Sequence, residues 1–140
     1  MKVLVTGGTG FIGKKLVKQL HVDGFDIHCT IRVTSDTAFI DKFNVTKHIC
    51  DIRDIEEVKK VFNEVRPEIV FHVAANVMAK EEKDLMDANL FGTKNICEMI
   101  LKYNVPKIIY LSSVSVVSGN KPVPINDDMS YKASNAYGRS

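Results

Sequence analysis

An excess of either charge is missing from this sequence: 19 Lys and Arg stand against 17 Asp and Glu, a net charge of +2. With no Lys/Arg cluster either, there is no case for a nucleic-acid partner or a membrane surface. No apolar run approaches membrane-spanning length, and a strand pattern beginning at Lys2 leaves no room for a signal peptide. Cysteine is scarce. Cys29, Cys50 and Cys97 are odd in number and lack metal-ligand spacing, so they read as reduced thiols packed like small hydrophobes, with a cytoplasmic setting and no bound metal expected. Internal repeats and low-complexity segments are absent too. What remains in 140 residues, 45% apolar and 26% charged, is one domain of ordinary composition, able to bury about 70% of its unfolded surface.

Within that plain background, residues 3–13 read Val-Leu-Val-Thr-Gly-Gly-Thr-Gly-Phe-Ile-Gly. Val3, Leu4 and Val5 form the continuous apolar run of a strand buried on both faces. Gly7, Gly10 and Gly13 follow where strand must turn into helix: the first for the turn, the second for backbone approach to a diphosphate, the third for close helix packing. Free N–H groups of the first helical turn and the helix dipole then favour negative charge there. A nucleoside-triphosphate loop is the least favoured reading, because Gly13-Lys14-Lys15 does not supply the required Gly-Lys-Ser/Thr.

Strand and helix patterns alternate along the rest of the chain. Ile12, Leu16, Val17 and Leu20 mark a helical face that Asp23-Gly24 stops. Strands are expected at 27–31, 46–50, 68–73 and 107–112, with 33–44 as a surface loop or short helix. Ile55, Val58, Val61, Phe62 and Val65 make a second helical stripe, ending before Pro67, with Asp54 suited to its N-terminus. One long helix is expected over 81–103, burying Leu85, Ile96, Met99, Ile100 and Tyr103, with Gly92 costing it about 1 kcal/mol relative to alanine. Asn104-Val105-Pro106 stops it. A loop rich in Ser, Gly and Pro runs to about residue 130, and the last ten residues begin another helix. This βαβα order implies an α/β fold with a parallel sheet covered by helices on both faces.

Taken in order, several pieces resemble the extended short-chain dehydrogenase/reductases, the NAD-dependent epimerase/dehydratase family. They are Thr6-Gly7-Gly8-Thr9-Gly10-Phe11-Ile12-Gly13, Asp51-Ile52-Arg53-Asp54, His72-Val73-Ala74-Ala75, Asn89 with Gly92-Thr93-Lys94-Asn95, Leu111-Ser112-Ser113, and Tyr137-Gly138-Arg139-Ser140. The resemblance covers essentially the whole chain. It implies that residues 1–140 form an NAD(P)-binding Rossmann-like domain, a doubly wound parallel sheet in strand order 3-2-1-4-5. It further implies cofactor contacts from Gly7, Thr9, Gly10, Phe11, Ile12, Gly13, Arg32, Asp51, Ile52, Ala74 and Ala75. Asp51 is similar to an acceptor for the adenine amino group, with the Ile52 backbone beside it. Asn89, grouped with these, would hold the active-site helix and a water, unless it is simply an exposed helical asparagine; His72 reads as structural. Tyr137 and Ser113 are the expected catalytic pair, the phenol moving a proton once nearby positive charge lowers its pKa, the serine hydroxyl fixing the substrate oxygen. Ser112 and Ser115 stand close enough to be alternatives to Ser113.

Two departures from the pattern bear on function. NAD-preferring Rossmann folds place an acid at the end of the second strand, whereas this chain has Thr30-Ile31-Arg32 and no acid until Asp36, which favours NADP over NAD. The chain also stops at Ser140, one residue before the family's lysine is due. It is therefore expected to be a cofactor-binding fragment without useful catalysis, with apolar Ile108, Ile109 and Leu111 on an exposed sheet edge. The activity expected first is an oxidoreductase acting on a carbonyl or alcohol, with a nucleotide-sugar epimerase or dehydratase and a non-catalytic NAD(P)-sensing module as the alternatives. In each, the partner is a small molecule rather than nucleic acid or membrane. The resemblance also implies a homodimer packed through the helix near 81–103.

Overall fold

The computed structural model describes residues 1–79, 81–120 and 124–140; residues 121–123, part of the expected Ser/Gly/Pro loop, lie outside the described residues. Five strands, β1 (Lys2–Thr6), β2 (Asp26–Ile31), β3 (Val45–Ile49), β4 (Ile69–His72) and β5 (Lys107–Tyr110), form one sheet. All pairings are parallel, and the order is β3-β2-β1-β4-β5. Successive residues of β1 face opposite sides, and both sides are covered. Val3 and Val5 pack with Val17, Leu20, Ile27, Cys29 and Ile40, under helix α1 (Phe11–Val22). Leu4 packs with Val58, Val61, Phe62, Val70, Ile96 and Met99, under α2 (Ile55–Val65) and α4 (Gly92–Lys102). Each fully buried side chain of this size adds about 2 kcal/mol, so the two layers, not local propensity, hold the sheet.

The helix stops follow the local chemistry. Asp54 caps α2, its carboxylate accepting from the N–H groups of Glu56 and Glu57, a contact worth about 1 kcal/mol. Arg66 ends the same helix in the left-handed region at φ 51°. Two details differ from expectation, the build of the long helix and the shortness of the last strand and helix. The long helix is built in three pieces: α3 (Glu82–Met86), a π-helical segment (Asp87–Phe91) and α4. The 33–44 stretch contains a 3-10 turn, Ile40–Lys42, because Ile40 is fully buried against the α1 side of the core. β5 stops at Tyr110, and the chain's final helix α5 (Ala136–Arg139) is only four residues long. β5 is an edge strand; its Ile108 and Ile109, and Leu111 just after it, are each exposed by more than a third, as the sequence indicated. Among the described residues no helix is long and apolar enough to cross a membrane.

Candidate functional site

The turn from β1 into α1 is fixed by close backbone packing. Gly7 has φ +73°, and a Cβ there would lie 2.7 Å from Ala74 N and Cα at the end of β4. A Cβ on Gly13 would run into the Gly7 carbonyl oxygen. The Gly7 carbonyl instead accepts from Gly10 N–H at 3.0 Å, closing the loop on itself. Gly10 caps α1 without a side chain, leaving the N–H groups of Phe11, Ile12 and Gly13 without intrahelical acceptors.

These groups lie at the carboxyl edge of the sheet, where the chain crosses from one side to the other, the place where open α/β sheets bind ligands. A cleft of about 720 Å³ opens there, within the range of sites for dinucleotide-sized molecules. Gly7, Thr9, Gly10, Arg32, Asp51, Ile52, Ala74 and Ala75 line it together. Phe11 and Ile12 do not: they are 88% and 49% exposed and follow the lining residue Gly10 at the start of α1. Gly13 lies beneath it as a packing contact. Small Ala74 and Ala75 leave the centre of the cleft open.

The end of the cleft beyond β2 and β3 is strongly polar. Arg32 is exposed and forms no salt bridge of its own among the described residues; its backbone N–H donates to Ser35 Oγ at 2.9 Å. Asp51 accepts from the backbone N–H of Arg53 at 3.0 Å and from its guanidinium on both carboxylate oxygens. Hydrogen bonding from the Arg53 side chain holds Asp51 below the usual carboxylate range, against partial burial, and the charge of Arg32 adds to the effect. Arg32 and Arg53 thus sit at this end with Asp51, and Asp84, close enough to act on Arg53, also lines the cleft.

Asn89 lies away from this cleft. It lines a smaller adjoining recess with Ser112, Ser113 and Tyr137, and Ala74 and Ala75 border both. The expected catalytic pair is thereby brought to one recess, which shares the Ala74–Ala75 wall with the larger cleft. Ser113 Oγ accepts from Ser115 N–H, leaving its own proton free to donate. Asn89 is buried, so the alternative of an exposed helical asparagine is corrected. Its Oδ1 accepts from Asn76 N–H at 2.7 Å, and its Nδ2 donates to Asn76 O and to Ser140 Oγ, each at 2.8 Å. One amide therefore ties the wall of the cleft to the Tyr137 helix. Arg139 adds a two-pronged contact to Glu82.

The model of the NAD dependent epimerase/dehydratase family matches residues 3–140. The chain belongs to this family. It is 34% identical to a putative UDP-glucose 4-epimerase of Methanocaldococcus jannaschii, over 99% of this chain and 47% of that protein. Its fold superimposes on the UDP-glucose 4-epimerase of Thermus thermophilus in complex with NAD, with TM-score 0.89, 29% identity, and coverage of 99% and 47%. The Thermotoga maritima UDP-glucose 4-epimerase with UDP-glucose gives TM-score 0.91 at 29% identity, with the same coverage. The chain spans less than half the length of the curated relatives it matches.

In this member of the epimerase/dehydratase family, the Asn89–Asn95 stretch works as a row of clamps, of which the sequence reading gave a role to Asn89 alone. Thr93 Oγ1 meets His72 Nε2 at 2.8 Å, and Thr6 Oγ1 meets His72 Nδ1 at 2.6 Å while accepting from Ala74 N–H. His72 is thus a bridge through the core, as its structural reading implied, and burial pushes its pKa down to about 4. Asn95 Nδ2 donates to the carbonyls of Ile52 and Arg53. Thr6, Thr93, Asn95, Ser35 and Arg53 were not singled out from the sequence.

Proposed function

We propose that this chain is the dinucleotide-binding half of a nucleotide-sugar 4-epimerase. The observation that carries the binding part is the Gly7–Gly13 turn, where the first-turn N–H groups of α1 have no intrahelical acceptor and Gly7, Thr9 and Gly10 line a cleft that runs on to Asp51. The epimerase relatives support the substrate class. The residues present fit a nicotinamide dinucleotide: the loop backbone for the diphosphate, Asp51 and the Ile52 backbone for adenine, and Ala74 and Ala75 for the middle of the molecule. When bound, that cofactor supplies a reversible hydride acceptor for the sugar carbon. Tyr137 takes and returns the hydroxyl proton, and Ser113 donates to the same oxygen to fix its approach. Asn89 holds the two cavities in register. Exposed Phe91 and Leu101 support a dimer face on the α3–α4 helix, and three free thiols support a reducing compartment such as the cytoplasm.

One observation favours a second reading, a reductase using NADPH on a carbonyl. Arg32 and Ser35 line the cleft where an acid would select NAD, and an arginine fork suits a 2′-phosphate. A single set of assays separates the two. The whole protein should interconvert UDP-sugars without net consumption of added dinucleotide; net oxidation of NADPH with a carbonyl substrate, and no epimerisation, would replace the first reading by the second. In either case Arg32→Ala should weaken NADP binding about tenfold, the loss of one charge-assisted contact, and leave NAD within about twofold. Equal loss for both cofactors would remove Arg32 from the 2′ position.

A further inference from the structure

We infer that Asn95, which does not line the cleft, is the positioning residue for base recognition at Asp51. The inference rests on the reading of the cleft as a dinucleotide site. The β3–α2 loop, residues 50–54, starts at buried Cys50, whose N–H donates to Ile31 O on β2, and then carries Asp51, Ile52 and Arg53 away from the sheet to the cleft. Two contacts tie Ile52 and Arg53 to α4. Ile52 packs its side chain against the core at the start of α4, where Gly92 leaves room for it. One turn on, Asn95 Nδ2 spends both of its protons on this loop, donating to Ile52 O at 2.9 Å and Arg53 O at 3.0 Å.

The hold on Arg53 matters because Arg53 in turn holds Asp51. Its backbone N–H and its guanidinium engage both carboxylate oxygens of Asp51. A carboxylate oxygen has more than one lone-pair direction, so Asp51 can keep Arg53 and still accept an exocyclic amino group of a base. The direction in which it accepts is set by Arg53, whose backbone is set by Asn95. Glu57 and Asp54 add backbone contacts to Asp51 N–H and O, which fix the main chain there without orienting the carboxylate. The chain of contacts Asn95, Arg53, Asp51 therefore links α4 to the atom that distinguishes a 6-amino purine from a 6-keto one.

The test compares 5′-AMP with 5′-IMP, which share ribose and phosphate and differ at that atom. By NMR or calorimetric titration, the wild-type chain should prefer AMP by about tenfold, since a carboxylate accepts from the amino group and repels the keto oxygen. Asn95→Ala should reduce the preference to about twofold or less while IMP affinity stays near the wild-type value. Asn95→Asp, which sets a carboxylate against two carbonyls, should abolish the preference as well; if it fails to fold, the alanine variant carries the test. An unchanged AMP/IMP ratio in a folded Asn95→Ala protein, with both ligands weakened together, would overturn the inference alone. A wild-type protein that binds neither nucleotide would overturn the reading of the cleft and the inference with it.

Discussion

Gly13→Ala should abolish measurable dinucleotide binding and destabilise the chain by about 3 kcal/mol, the upper range for overpacking a well-filled site. The methyl group has nowhere to go: it points at the Gly7 carbonyl oxygen, backbone against backbone, with Gly8 Cα close behind. Relief requires moving α1 away from the loop or opening the Gly10 N–H to Gly7 O contact. Either movement redirects the first-turn N–H groups. Loss of one hydrogen bond to a charged group costs about 1.5–3 kcal/mol, which is a tenfold to hundredfold loss of affinity, and here several are displaced together. Phe11→Ala is the control. That side chain is 88% exposed two residues away, so stability should change by less than about 0.5 kcal/mol and affinity hardly at all. Denaturant unfolding and calorimetric titration of the two variants check the contrast; similar losses in both would mean that the loop is not the tight element described.

The second large effect concerns acid. His72 is buried between two threonine hydroxyls, and burial lowers its pKa from 6.5 to about 4. Above pH 6.5 the ring is neutral in both the folded and unfolded chain, and its contribution is intact. As pH falls from 6.5 towards 4, the unfolded chain takes up a proton that the folded chain refuses, so stability falls with pH. Below about pH 4 both forms are protonated and the loss levels off. The full drop is about 3 kcal/mol. His72→Gln should be less stable at neutral pH yet lose less on acidification. His48, lowered by burial and by neighbouring His28, adds to the acid loss in both proteins and cancels in the comparison. Unfolding free energies measured from pH 7.5 to 4.5 give the result; parallel curves for wild type and variant would show that His72 is not the proton-refusing group.

The contrast between these sites also marks what the sequence made legible. Val3-Leu4-Val5, the glycines after it, and the Ile55–Val65 stripe are periodic, local signals, and each appears in the structure where it was expected. The strand order follows from right-handed crossovers and short connections once the elements are known. The residues that gather at the cleft were legible for the same reason, since they follow strand ends. What stayed hidden depends on partners far along the chain. Thr6 and His72 meet across 66 positions, His72 and Thr93 across 21, Asn95 and Ile52 across 43. No periodicity encodes such a pair. Asn89 is the instructive case: a poor helix former became a buried clamp because the helix widens into a π-segment at that point, and an asparagine can serve a strand-like N–H and C=O at once. Ile40 was obscured by polar neighbours, though the core claims it completely.

The central claim is that the cleft above the Gly7–Gly13 turn binds a nicotinamide dinucleotide. Titration of the isotope-labelled 140-residue chain with NAD or NADP, followed through backbone amide resonances, tests it most directly. Saturable shifts should concentrate at Gly7, Gly10, Phe11, Ile12 and Gly13, with a second group at Asp51, Ile52 and Arg53. Phe11 and Ile12 should be among the largest, although their side chains point to solvent. Absence of saturable shifts at 7–13, or shifts confined to other surfaces, would contradict the account.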